Sequence, residues 1–198
     1  MPPIYPYAYR KLLELQIQMP VLYFSTKQVT HLMQLFPQEG YLRLQVLLAV
    51  FSHITDSENL CEIYDGLTRD EQCELLHRVG ILCIMDPLRP DREYRLDLRR
   101  WDHREWCKVL ISLGVSEPGD NWVGGGEYRW SKYDDPVPGW VLPATWATPD
   151  ESSDGEGGPR RYGWLRVTYT STDKGCEVNN ALRRNLRRRT LAGVKMLL

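Results

Sequence analysis

Cys73 and His77 stand four residues apart in a stretch whose apolar residues recur with helical spacing, so both side chains project from one face. That spacing suits two ligands of one metal ion, and Cys61 and Cys83 could approach them. The chain has no Cys-x-x-Cys pair, however, and His77 follows Leu76 on a half-apolar surface, where ordinary core packing accounts for both residues. Asp102, His103 and Glu105 form a second gathering of ionisable groups. Helix starts collect acids for capping and for the helix dipole, and Asp102 with Glu105 has the spacing of a capping pair. Neither a Gly-x-Ser-x-Gly elbow nor a His-Glu-x-x-His pair occurs. The Gly124-Gly-Gly run lacks the lysine and hydroxyl of a phosphate loop and reads as a flexible turn. These residues support no catalytic site, no metal site and no cofactor, and the chain is read as a non-enzyme.

Two other sets of residues could carry function. Trp122, Tyr128, Trp130, Tyr133, Trp140 and Trp146 fall in a short Gly/Pro-rich stretch with little sign of regular structure. Each such ring buries roughly 150–250 Å² when covered. They would either fix an extended arm on their own domain and complete its core, or anchor a protein partner, where Trp, Tyr and Arg concentrate binding energy. The second set is Arg183, Arg184, Arg187, Arg188 and Arg189. From Lys174 onward seven Lys/Arg face one acid, Glu177, so this tail carries +6 and the rest −7 of the net −1. The arginines could contact nucleic-acid phosphate, lie on an anionic surface, or pair with acids, including those of this protein's own body. The tail has no aromatic residue, so base stacking is not offered there.

The elements that must position these groups follow from capping and periodicity. Ser25 and Gln28 have capping-box spacing, with Phe24 and Val29 as a hydrophobic staple; Val29, Leu32, Met33 and Phe36 then mark one helix face that ends at Pro37. A helix over about 41–53 is apolar around much of its circumference and is expected to be the most buried. Asp56 is expected to cap a third helix, and Thr68 with Glu71 opens a fourth that Gly80 closes. Ile81–Met85 and the alternating Tyr94, Leu96 and Leu98 predict a small antiparallel hairpin. A further helix carries Trp106, Val109, Leu110 and Leu113 and is expected to stop at Gly114. Leu165, Val167 and Tyr169 alternate as a strand, and a basic amphipathic helix is expected from Asn179 to the end.

Phe24-Ser25, Gln28-Val29, Leu32, Leu35-Phe36, Leu42 with Leu44, Ile54, Asp56 and Asn59 together resemble a small helical domain of unknown function known from proline- and serine-rich proteins and some bacterial chains. The resemblance covers Phe24 to about Leu67. It implies a helical fold and a scaffold or interaction role, and brings no catalytic residues.

The expected architecture is mainly α: a small helical bundle with a short β-hairpin, a Trp/Pro/Gly-rich extended arm, and a C-terminal strand plus basic helix. Its segments are an N-terminal stretch 1–23, a helical domain 24–116, the arm 117–149, an acidic flexible linker 150–159 and the C-terminal part 160–198. A chain of 198 residues that is 42% hydrophobic has room for a real core. Five scattered cysteines, mostly among apolar residues, fit reduced thiols rather than a disulfide framework. No apolar run is long enough to span a bilayer, and the start of the chain lacks the pattern of a secretory signal. The expectation is an intracellular protein, cytoplasmic rather than nuclear, binding a protein partner through the arm. Nucleic acid contacted by the basic tail is the alternative. By analogy alone, such an arm would suit a scaffold in a cytoskeletal or ciliary assembly.

Overall fold

The computed structural model describes residues 6–18, 21–38, 41–147, 158–172 and 177–195. It divides into two compact units, Met1–Val79 and Gly80–Leu198. The division falls inside the stretch 24–116 that the sequence groups as one helical domain.

The first unit is helical. It contains α1 (Pro6–Gln18), α2 (Thr26–Gln34), α3 (Leu42–Val50), which runs on into a 3₁₀ turn at Phe51–His53, α4 (Leu60–Asp65) and α5 (Arg69–Val79). Ser25 caps α2 with the expected box: its hydroxyl accepts from Gln28 N–H, and the Gln28 side chain accepts from Ser25 N–H at 2.8 Å. Thr68 and Glu71 repeat the arrangement at α5, with Thr68 N–H donating to the carboxylate at 2.9 Å. The apolar α3 is the centre of the unit, with Leu42, Leu44, Val46, Leu47 and Val50 buried. Asp56 departs from its expected role. Its side chain caps nothing on α4; it accepts from Thr26 N–H at 2.7 Å, Thr26 Oγ1 at 2.8 Å and Asn59 Nδ2 at 3.1 Å, tying the start of α2 to the turn before α4. The helix α1 lies in the stretch 1–23 where no element was expected. It carries no capping signal, and Leu12 is its buried residue. Cys73 is exposed on α5.

The second unit packs helices on a three-stranded antiparallel sheet. Its elements are α6 (Ile81–Ile84), β1 (Arg92–Asp97), α7 (Trp101–Ser116), β2 (Trp122–Arg129), a 3₁₀ turn at Ala144–Ala147, β3 (Trp164–Tyr169) and α8 (Glu177–Lys195). The sheet order is β1-β3-β2, with Tyr94 opposite Val167 and Tyr128 opposite Leu165. Tyr94, Leu96, Tyr128, Leu165, Val167 and Tyr169 are buried with Trp106, Leu110 and Leu113 of α7. Trp106 meets Tyr94 with ring centroids 5.8 Å apart. The expected hairpin is therefore corrected: Ile81–Ile84 is a short helix, and β1 pairs with β3 about seventy residues away. Asp102 explains the helix at Ile81. Its carboxylate accepts Ile81 N–H at 3.0 Å, satisfying a donor that a strand would have needed for pairing. Gly80 has φ +81 and ψ 153, so it supplies a positive φ but does not close α5 in the left-handed helical conformation. Nor does α7 stop at Gly114. It continues to Ser116, and Gly114 within it gives the Trp122 ring room: a Cβ there would lie 3.0 Å from Trp122 Cζ2.

Of the acidic stretch 150–159, all but Gly158 and Pro159, both buried, lies outside the described residues. Among the described residues no helix is long and apolar enough to cross a membrane.

Candidate functional site

The glycine run expected as a flexible turn is instead a bulge within β2. Val123 pairs with Thr168 and Glu127 with Arg166, so Gly124, Gly125 and Gly126 together face Val167. All three have positive φ, which glycine adopts without a Cβ clash. The bulge sets Glu127 and Arg129 back into register, and Tyr128 turns into the core. The chain then folds back, and Val137 N–H donates to Tyr128 O at 2.8 Å, covering that part of the sheet edge.

This return builds a line of rings. Trp146 meets Trp140 with centroids 5.7 Å apart, Trp140 stacks on Tyr128 at 5.3 Å and 24°, Tyr128 meets Trp130 edge-on at 5.3 Å, and Trp130 stacks on Tyr162 at 5.6 Å and 14°. The line begins in the core and ends at the surface. Tyr128 and Trp146 are buried, Trp140 is half-buried, and Trp130 and Tyr162 are 52% and 51% exposed. Tyr133, three residues after Trp130, is 89% exposed. Trp122 stands apart, half-buried edge-on against Tyr169 at 5.2 Å. Sequence reasoning thus treated as one set six residues that the fold divides. Tyr128 and Trp146 pack into the second unit, and Trp130 and Tyr133 face solvent. Tyr162, Trp164 and Arg160 join the exposed end and were missed, because they lie beyond the arm, some thirty residues along the chain from Trp130, and carry no local signal.

The arginine set is divided as well. Arg183 is buried and pairs with the fully buried carboxylate of Glu117, so it faces no anion in solvent. Glu117 also accepts from Asn121 Nδ2 at 3.1 Å, Ser171 Oγ at 3.0 Å and Thr172 N–H at 3.2 Å. Arg187 lies 3.8 Å from Asp86. Arg184, Arg188 and Arg189 are exposed. Part of the tail's charge is therefore matched by acids of the chain itself.

No family model, curated protein or solved structure matches the chain.

The remaining ionisable cluster is not built for nucleophilic or acid–base work. His103 Nδ1 accepts Asp97 N–H at 2.9 Å, which places the ring proton on Nε2. Burial keeps the imidazole neutral, lowering its pKa from 6.5 to about 4, and Asp102 Oδ2, 4.0 Å from Nε2, is too distant for a hydrogen bond. Burial works against the Asp102 charge, but hydrogen bonds from Arg100 and Ile81 N–H hold its pKa below the usual range. Burial, and then the negative Asp102, push the Cys83 thiol up, the opposite of an activated nucleophile. Among the described residues, no three His, Cys, Asp or Glu side chains gather as metal ligands.

One consequence is measurable. Unfolded, His103 takes its proton near 6.5; folded, it resists protonation until about pH 4. The unfolded chain therefore binds more protons between these values, and stability falls as pH drops from 6.5 towards 4, with no contribution above 6.5. The loss is expected to be about 3 kcal/mol. His103→Asn keeps an acceptor for Asp97 N–H but does not titrate. Urea unfolding at neutral pH and near pH 4 should show the native chain losing about that much more than the variant. Parallel losses would mean that His103 is hydrated.

Proposed function

We propose that this chain is an intracellular, non-enzymatic protein-interaction module that docks a protein partner through Trp130, Tyr133 and Tyr162. The observation that carries this reading is the exposure of the stacked Trp130 and Tyr162 rings, supported from behind by rings that run into the core, with the exposed Tyr133 three residues along the chain from Trp130. A rigid exposed aromatic loses little conformational entropy on binding, and Trp, Tyr and Arg dominate binding hot spots. The resemblance of residues 24–67 to a small helical domain points to the same class of role.

The test is a Trp130→Ala/Tyr133→Ala variant of the full chain. Both positions are exposed, so circular dichroism and thermal melting are expected to stay near the native values. Affinity purification from cells with quantitative mass spectrometry should then lose a specific protein by about tenfold or more. An unchanged set of co-purified proteins would sink the reading.

A second reading, binding of nucleic acid or another anionic surface, is favoured only by the exposure of Arg184, Arg188 and Arg189 on α8. It separates from the first by salt, since phosphate contacts weaken steeply as salt rises and an aromatic-anchored interface responds little.

A further inference from the structure

The surroundings of the exposed rings indicate what the partner brings. This step rests on the docking reading above. The Arg160 guanidinium lies over Trp130 at 5.2 Å and over Tyr128 at 5.3 Å from the ring centroids. Lys132 Nζ lies 5.9 Å from the Trp164 centroid and 6.0 Å from that of Tyr133. Other cations of the sheet are committed: Arg95 and Arg166 to Glu93, Arg129 to Glu127, and Arg99 to Asp97. Among the described residues, no carboxylate pairs with Arg160 or Lys132. The ring cluster therefore contains two cations near aromatic rings, neither of them paired by a carboxylate of the described residues. Asp134 and Asp135, directly after Tyr133, are exposed.

Among the described residues the Arg160 guanidinium makes no hydrogen bond, so its N–H groups remain to fork a carboxylate. Nucleic acid fits less well. Trp130 and Tyr162 stack on each other with centroids 5.6 Å apart, whereas a base between them would need contact distance of about 3.5 Å on each side. Two unmatched cations would also neutralise only about two phosphates, a small electrostatic gain.

We infer that the cluster binds an acidic linear peptide segment. Its carboxylates fork Arg160 and pair with Lys132, and an apolar side chain of the same segment lies against Trp130, Tyr133 and Tyr162. The charges select the partner and the rings supply the buried area.

The experiment presents a random phage-displayed peptide library to the full chain and measures selected peptides by fluorescence anisotropy. Each is compared with its Asn/Gln counterpart and with a thymidine oligonucleotide of similar length. The expected result is enrichment of Asp or Glu beside an apolar residue, with binding weakened about tenfold or more by Arg160→Glu/Lys132→Glu and by the Asn/Gln exchange. Acid-free peptides, or binding indifferent to the charge reversal, overturn the acidic partner. If those peptides still need Trp130 and Tyr133, the docking surface stands. Recovery no greater than that on the Trp130→Ala/Tyr133→Ala variant overturns both. Tighter binding of the oligonucleotide than of any selected peptide overturns the inference in favour of single-stranded nucleic acid.

Discussion

Replacing Glu117 by alanine is expected to destabilise the second unit by about 3–5 kcal/mol, the cost of leaving a buried charge without its partner. Glu117 is fully buried and receives Arg183, Asn121, Ser171 and Thr172, so one truncation takes an acceptor from donors on α8, in the loop before β2 and just past the end of β3. Arg183 sits in the middle of α8, and without Glu117 its guanidinium must either stay buried unpaired or draw the helix away. The partner variant Glu117→Leu/Arg183→Met removes both charges at similar volume and is expected to recover much of the loss. The readout is selective: all seven tryptophans lie between Trp101 and Trp164, so their fluorescence during urea unfolding follows the second unit alone. A loss below about 1 kcal/mol would mean the pair is solvated, as exposed ion pairs are.

The second large effect is expected at Gly163. Its φ is +97, and a Cβ there would stand 2.5 Å from the Tyr128 hydroxyl and 2.6 Å from Cζ, closer than any real contact. Gly163→Ala therefore combines a left-handed backbone at a non-glycine residue with a clash against a buried ring, together about 2–5 kcal/mol. Gly139→Ala is the control. It shares a positive φ of +67 but meets nothing within 4 Å, so it should cost only the backbone part, about 1–2 kcal/mol. Equal costs at the two positions would show that the Tyr128 ring yields freely. Because Gly163 stands between Tyr162 and Trp164, its replacement should also disturb the Trp130–Tyr162 stack and weaken partner binding along with stability.

What could be read from the sequence was what neighbours in the chain decide. The capping boxes at Ser25–Gln28 and Thr68–Glu71 are exchanges between residues three apart, and both are present. The mainly helical character and the apolar α3 follow from periodicity over a few turns. What distant residues decide was not legible. Ile81–Met85 is apolar enough for strand or helix, and the deciding hydrogen bond comes from Asp102, twenty-one residues on. Asp102 and Glu105 have capping spacing, yet Arg100 occupies the cap position without a side-chain hydrogen bond, because Asp102 is used by Ile81 and Arg100. Glycines 124–126 look like a turn until β3, forty residues later, is seen to run beside them. The same holds at the candidate site. Tyr128 and Trp130 are two residues apart and equally aromatic, but the bulge and the returning loop bury one and leave the other in solvent. Arg183 and Arg184 are adjacent, and only the helix face separates a structural ion pair from an exposed cation.

The strand order β1-β3-β2 has a temporal meaning. Among the described residues the two earlier strands, Arg92–Asp97 and Trp122–Arg129, do not pair with each other; each pairs with Trp164–Tyr169, which leaves the ribosome after both. Until that strand emerges, neither ladder can begin, and two aromatic-bearing strands wait with their backbone groups open. Closing the β1–β3 pair then joins residues about seventy positions apart, a high-contact-order step that slows folding. The exposed ring cluster, built where β2 ends and β3 begins, is completed only at that late moment. A nascent or truncated chain lacking residues 164–169 would hold every ring of the arm and none of the surface they form.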